Sequence, residues 1–208
     1  KHTAILGSTG AGKSGTVAAV LHSLLERGAA AGLANWMPRI VVLDPHNEYS
    51  AAFPDHQKLS TDDGSLILPY WLLNFAETVA LVIGKTEFVA TSQANIVKTA
   101  LLKARIEGAE ILGLDPAKIT VDSPVPYKLT KFIAEVEAGK PPQASKQDSH
   151  NSILEKLDVL HRDARVAFMM KEWDAAEQDP FPSILSQLVS DGRQPRIVDL
   201  SGVPNEVA

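Results

Sequence analysis

Apolar and polar positions alternate between two periods along this chain, and the switches between them predict its elements. His2–Leu6 is a short apolar, partly β-branched run, the pattern of a buried strand. From Gly15 to Glu26 the period lengthens to that of a helix, with Val17, Leu21, Leu24 and Leu25 on one side. Gly28–Gly32 reads as a small-residue connector, and Arg39–Leu43 as a second buried strand. Helical pattern then dominates. Asn74 with Glu77 three residues on predicts a capped helix closed by Gly84. Thr91–Leu112 carries a stripe of Ile96, Val97, Ala100, Leu101, Ala104 and Gly108. Shorter helices are predicted over Thr130–Ala138 and Asn151–Arg162, the second with Ile153, Leu154, Leu157 and Leu160 inward. Val166–Met170 reads as a strand, Phe181–Val189 as a short amphipathic helix and Arg196–Leu200 as a return strand. The polar, proline-containing stretch from Gly139 to Ser149 reads as a mobile or partner-facing loop.

Strands separated by helices predict an α/β fold with a mainly parallel sheet. Three segments are expected: a core over 1–70 with the first strands, a helical insertion over 71–165, and a return to the core sheet over 166–208.

Composition narrows the classes. The chain has 208 residues, 45% of them hydrophobic and 22% charged, and no apolar run of membrane-spanning length, so no membrane contact is expected. It contains no cysteine, which removes disulfides and thiolate metal sites and fits a reducing cytoplasm. The opening directly on Lys1 and a core strand shows no leader pattern and suggests a start inside a longer protein. A net charge of −5 argues against coating nucleic acid with the whole surface and leaves room for a local basic track. Lys98 and Arg105 share a helix face and are candidates for phosphate contact; a solvated charged face is the plainer alternative. His161 has no second ligand at metal-binding spacing, and Met169 and Met170 read as core filler.

One stretch carries specific chemistry. Gly7-Ser8-Thr9-Gly10-Ala11-Gly12-Lys13-Ser14 reads G-x-x-x-x-G-K-S between a predicted strand and a predicted helix, the context of a phosphate-binding P-loop. Its glycines let the backbone turn tightly and approach a ligand, so that successive N–H groups form a concave anion site. The helix that follows adds free N–H donors and the positive end of its dipole. Gly7 to Gly15 are therefore the candidate nucleotide-binding residues. Lys13 is placed to reach the β- and γ-phosphates, and Ser14 to offer its hydroxyl to Mg²⁺. Asp44 ends the second strand, where open α/β sheets keep their ligands. Two readings stand for it: a carboxylate of the Mg²⁺ shell, acting through water, or a turn-forming group that caps the backbone donors of Asn47 or Glu48. Asp199 interrupts the last strand and reads as a strand-end turn or a buried carboxylate bonded to backbone.

Residues 2–14, together with Val41-Val42-Leu43-Asp44-Pro45-His46-Asn47-Glu48-Tyr49, resemble the HerA branch of the HerA/FtsK ATPases. Leu68-Pro69-Tyr70-Trp71-Leu72-Leu73-Asn74 and the patch from Arg196 to Val207 extend the resemblance over nearly the whole chain. It implies a P-loop NTPase of RecA/FtsK-like fold, binding ATP and Mg²⁺, within a homo-oligomer, typically a hexamer, that hydrolyses ATP to move on duplex DNA. A nuclease or defence partner, DNA repair and antiviral defence belong to the same expectation. The resemblance would make Lys13, Asp44 and Glu48 the catalytic-side residues and Lys1 a basic residue ahead of the first strand. The family's later Walker B Asp-Glu pair and its arginine finger are expected beyond Ala208, so the chain reads as the first part of an ATPase core, expected to bind nucleotide poorly or partially and to lack groups that hydrolysis needs. Two other classes compete. One is a nucleotide-gated ring module that switches a partner effector without processive translocation. The other is a small-molecule kinase, against which stands the lack of an arginine-rich lid.

Overall fold

The P-loop is followed at once by the first helix: Gly12 ends the glycine turn, and its carbonyl accepts the opening helical hydrogen bond from the Thr16 N–H. The computed structural model describes residues 2–30, 38–86, 90–176, 179–189 and 194–204. These divide into two units, residues 1–66 with 183–202 and residues 67–182 with 203–208, so the helical unit takes in 166–182.

In the first unit, α1 spans Lys13–Ala30. Gly28 and the alanines after it therefore extend the helix instead of ending it; alanine is the strongest helix former and carries the turn past Gly28. The rest of the expected connector, 31–32, lies outside the described residues. Three parallel strands, β1 (Val41–Asp44), β2 (Gln57–Ser60) and β3 (Arg196–Asp199), form a sheet in the order β1-β3-β2. The register sets Asp44 beside Asp199 and Asp199 beside Ser60. All three strands thus end together at the edge where α/β sheets bind ligands. The core places Ala18, Phe53 and Ile197 together, with Leu21, Leu25, Val42 and Tyr49 packed around them. His22 of α1 stacks on Phe53 at 4.4 Å between ring centroids, and its Nε2 donates to the Ala52 carbonyl at 2.7 Å.

Two expectations about strands change here. His2–Leu6 forms no strand, and Leu6 is 90% exposed. A β-favouring run becomes a strand only where a neighbour completes the hydrogen-bond ladder, and the three strands pair with one another without it. β2, Gln-Lys-Leu-Ser, was hidden from pattern reading because it has no β-branched residue and only one apolar side chain.

An ion pair between half-exposed Lys58 and buried Asp199 joins β2 to β3. Lys58 Nζ lies 2.9 Å from Asp199 Oδ2, and Asp199 Oδ1 accepts the Ser201 N–H (2.9 Å) and hydroxyl (2.6 Å). Burial pushes the Asp199 carboxyl up, but the Ser201 hydroxyl, the Lys58 ammonium and the Ser201 N–H outweigh it and hold the carboxyl below its usual range.

The second unit is helical. α2 (Phe75–Ile83) starts on a complete capping box: Asn74 Oδ1 accepts from Glu77 N at 2.9 Å, and Glu77 Oε2 accepts from Asn74 N at 2.8 Å. Gly84 closes it at φ 71°, as predicted. The longest helix, α3 (Thr91–Ile111), packs against α4 (Leu129–Ala138), and α5 (Asp148–Arg162) packs against both. Gly108 lets α3 meet the chain before α4, because a methyl group there would run into the Pro126 carbonyl. The segment 166–170 is a correction: Ala164–Val166 is a 3₁₀ turn and α6 (Ala167–Met170) a short helix, not a strand. Asp163 starts it, accepting the Arg165 N–H at 2.9 Å and so favouring a turn. Met169 and Met170 are buried in the core. α7 (Phe181–Leu188) falls mostly in the first unit, from Ser183 on.

Arg105 overturns its expectation most sharply. It is wholly buried, and its guanidinium donates to the carbonyls of Val121 and Leu73, the latter at 2.6 Å. Its centre also lies 5.9 Å from the centroid of the Tyr127 ring. It is a clasp inside the helical unit, out of reach of DNA; Lys98, on the same helix, is exposed.

Two outcomes follow from these contacts. Arg105→Met strands the Leu73 and Val121 carbonyls and is expected to cost about 2–4 kcal/mol, read as a lower urea midpoint. Asp199 stabilises the fold above its unfolded pKa of about 3.9 and loses that contribution as pH falls through its lower folded value. Melting temperatures between pH 6 and pH 3 should therefore fall more steeply for the wild type than for Asp199→Asn.

Candidate functional site

The loop from Gly7 to Lys13 takes its shape from backbone conformation. Gly10 and Gly12 hold φ of 80° and 78°, a left-handed conformation that side chains disfavour, although a Cβ at either would meet no neighbour. Between them Ala11 N–H donates to Ser8 O at 3.2 Å. Thr16 closes the loop onto the helix, its N–H and hydroxyl both donating to Gly12 O, at 2.9 and 3.0 Å. The N–H groups that open α1 have no acceptor within the helix, and no acidic side chain occupies its first turn. They stay available to an anion.

A second segment faces this loop. β1 ends at Asp44, 1% exposed, whose Oδ1 accepts the N–H groups of His46 (3.3 Å) and Glu48 (3.1 Å) and whose Oδ2 accepts that of Tyr49 (2.9 Å). Asn47, at φ 52°, provides the left-handed residue that so tight a turn requires. The turn drives Tyr49 toward the core and presents Glu48 to the loop, where Glu48 Oε2 accepts the Ser14 hydroxyl. Lys13 Nζ donates to Ser8 O at 2.8 Å.

Loop and turn together enclose an open cavity of about 700 Å³, within the range of ligand sites of about 300–1,000 Å³. Thr9, Gly10, Gly12, Lys13, Ser14 and Gly15 line one side, and His46, Glu48 and Tyr49 the other. Ile5 and Val17 add an apolar margin. Gly7, Ser8 and Ala11 hold the loop in shape from outside this lining: a Cβ on Gly7 would press on Ala11 Cβ at 3.2 Å.

The structure thus brings Lys13, Ser14 and Glu48 into one cavity and leaves Asp44 beneath it. Every oxygen of Asp44 is engaged by backbone donors, which is the turn-forming alternative, with His46 and Tyr49 joining Glu48 as the donors. His46 and Tyr49 carried a signal that residue-by-residue reading passed over: they follow a strand-end Asp at offsets of two and five. Lys1 and the residues from Asn205 on lie outside the described residues.

As a metal site, the cavity offers the Ser14 hydroxyl and the Glu48 carboxylate side by side, with Thr9, His46 and Tyr49 also in its lining. No group of three or more His, Cys, Asp or Glu side chains able to hold an ion is present among the described residues. That donor set fits Mg²⁺, which keeps waters and relies on one or two protein oxygens plus substrate phosphates.

The model of the family described as the central domain of helicase HerA matches residues 1–208. No curated protein matches the chain.

Asp44→Asn separates the two roles of that residue. Its amide cannot accept at both atoms, so stability should fall by about 2–4 kcal/mol in a denaturant titration; a residue acting only on the metal shell would leave the midpoint in place.

Proposed function

The chain belongs to the family of HerA helicase central domains, and from that premise we propose that it is the ATP-binding part of a ring-forming motor, a hexamer, that moves on duplex DNA. The observation that carries the reading is the cavity where Lys13 and Ser14 face Glu48 across the glycine loop. In this reading the backbone N–H groups of Gly10 to Gly15 bind the phosphates. Lys13 leaves Ser8 O for the β- and γ-oxygens, where its ammonium offsets charge that grows as the terminal phosphoryl group departs. A Mg²⁺ ion held here would supply neutralisation of part of the phosphate charge. Ser14 supplies the hydroxyl that would hold it. Asp44 acts one step back, by fixing the turn that carries Glu48. Neither the group that polarises the attacking water nor the arginine finger is assigned among the residues lining the cavity.

Duplex DNA would meet a local basic track, since the net charge of −5 opposes broad contact. Exposed Lys98 belongs to that track; Arg105 does not. A nuclease or a defence effector would dock on the ring, and the cytoplasm is where such a motor would work. No helix among the described residues is long and apolar enough to cross a membrane.

The acidic balance also favours a second reading, a nucleotide-gated ring that switches a partner without travelling along DNA. Steady-state ATP hydrolysis by the full-length protein, with and without duplex DNA, distinguishes the two. The motor predicts DNA-stimulated turnover that Lys13→Ala abolishes, with nucleotide affinity down by about 10–100-fold for loss of a charged hydrogen-bond donor. Nucleotide binding with a turnover rate indifferent to DNA would overturn the motor and favour the switch.

A further inference from the structure

Glu48 is exposed, yet it is not a side chain left to wander. Its backbone N–H is bound to Asp44 Oδ1 at 3.1 Å, its neighbour Asn47 holds the left-handed turn, and its carboxylate accepts the Ser14 hydroxyl. A negative charge has therefore been built into a cavity whose opposite wall is made for anions. Taken alone, that placement opposes phosphate binding: a bare polyphosphate entering the loop meets a like charge next to Ser14.

The same contact has a second consequence. A hydroxyl has one proton to donate and two lone pairs to offer. With its O–H committed to Glu48, Ser14 keeps its lone pairs for a cation. A carboxylate that accepts from a metal-binding group also raises the basicity of that group, as outer carboxylates do for metal-bound histidine.

We propose that Glu48 is a positioning residue that makes this site dependent on a divalent cation, by orienting the Ser14 hydroxyl as a ligand and by repelling polyphosphate that arrives without a cation. This inference rests on the nucleotide reading of the cavity. It goes further by assigning the cation requirement to a residue outside the P-loop motif itself. The charge that penalises the free nucleotide rewards the cation-bound one, so a single side chain sets the ratio of the two affinities.

Equilibrium binding of a fluorescent ATP analogue to the purified protein, in excess Mg²⁺ and in EDTA, reads that ratio directly. The wild type should bind more tightly in Mg²⁺. Glu48→Gln keeps the size of the side chain and an acceptor for Ser14 but removes the charge. It should bind more weakly in Mg²⁺ and more tightly in EDTA, shrinking the ratio by about tenfold or more. A thermal melt establishes that the variant is folded. Ser14→Ala provides an independent arm: it should lose the Mg²⁺ advantage. If Glu48→Gln is folded and keeps the wild-type ratio, the inference is overturned while the nucleotide site stands. If Glu48→Gln does not fold, Ser14→Ala decides, and a full Mg²⁺ advantage in that variant overturns the proposal. A wild type that binds the analogue in neither buffer overturns the nucleotide reading, and this inference with it.

Discussion

Three backbone N–H groups converging on the buried carboxylate of Asp44 are the interaction on which the rest of the site depends. The reason is geometric. β1 ends at Asp44, and within five residues the chain must send Tyr49 into the core and Glu48 out toward the P-loop. A turn that tight leaves backbone donors pointing inward, and a buried donor without a partner costs about 1–3 kcal/mol. Asp44 accepts all three, and the short side chain at the end of a strand is the one residue type that reaches them with two oxygens. Removing it would leave Glu48 without a fixed position, although Asp44 itself does not line the cavity.

Much of this could be read from the chain before any coordinate. The glycine loop is legible because its requirement is local: Gly10 and Gly12 occupy conformations that exclude most other residues, wherever the loop lies. The capping box at Asn74 and the left-handed Gly84 are legible for the same reason. So were the inward faces of α3 and α5, because a 3.6-residue period needs no knowledge of the partner.

What escaped reading depended on residues far apart in sequence. β2 exists because β3, more than 130 residues later, offers it a ladder; its own four residues carry almost no strand signal. His2–Leu6 shows the converse, a good strand pattern with no partner among the described strands. Arg105 was assigned to the surface by its charge, whereas its burial is set by the carbonyls of Leu73 and Val121 and by the Tyr127 ring. At Asp44 the sequence left two roles open, and the three donors that the folded turn brings to the carboxylate were not legible in it.

The division of labour between Asp44 and Glu48 bears on how such a site can evolve and be regulated. The two acids lie four residues apart, but one is buried and accepts three backbone N–H groups while the other is exposed and accepts the Ser14 hydroxyl. Substituting the first acts through folding and therefore blurs every property of the site together. Substituting the second leaves the turn intact and acts on charge alone. A motif containing both thus combines a rigid element with a tunable one: the backbone turn fixes where the carboxylate sits, and the identity of that side chain sets which charge state of the ligand the loop accepts. The glycine backbone and the Lys13 ammonium act on any anion, so that distinction falls to Ser14 and Glu48 together.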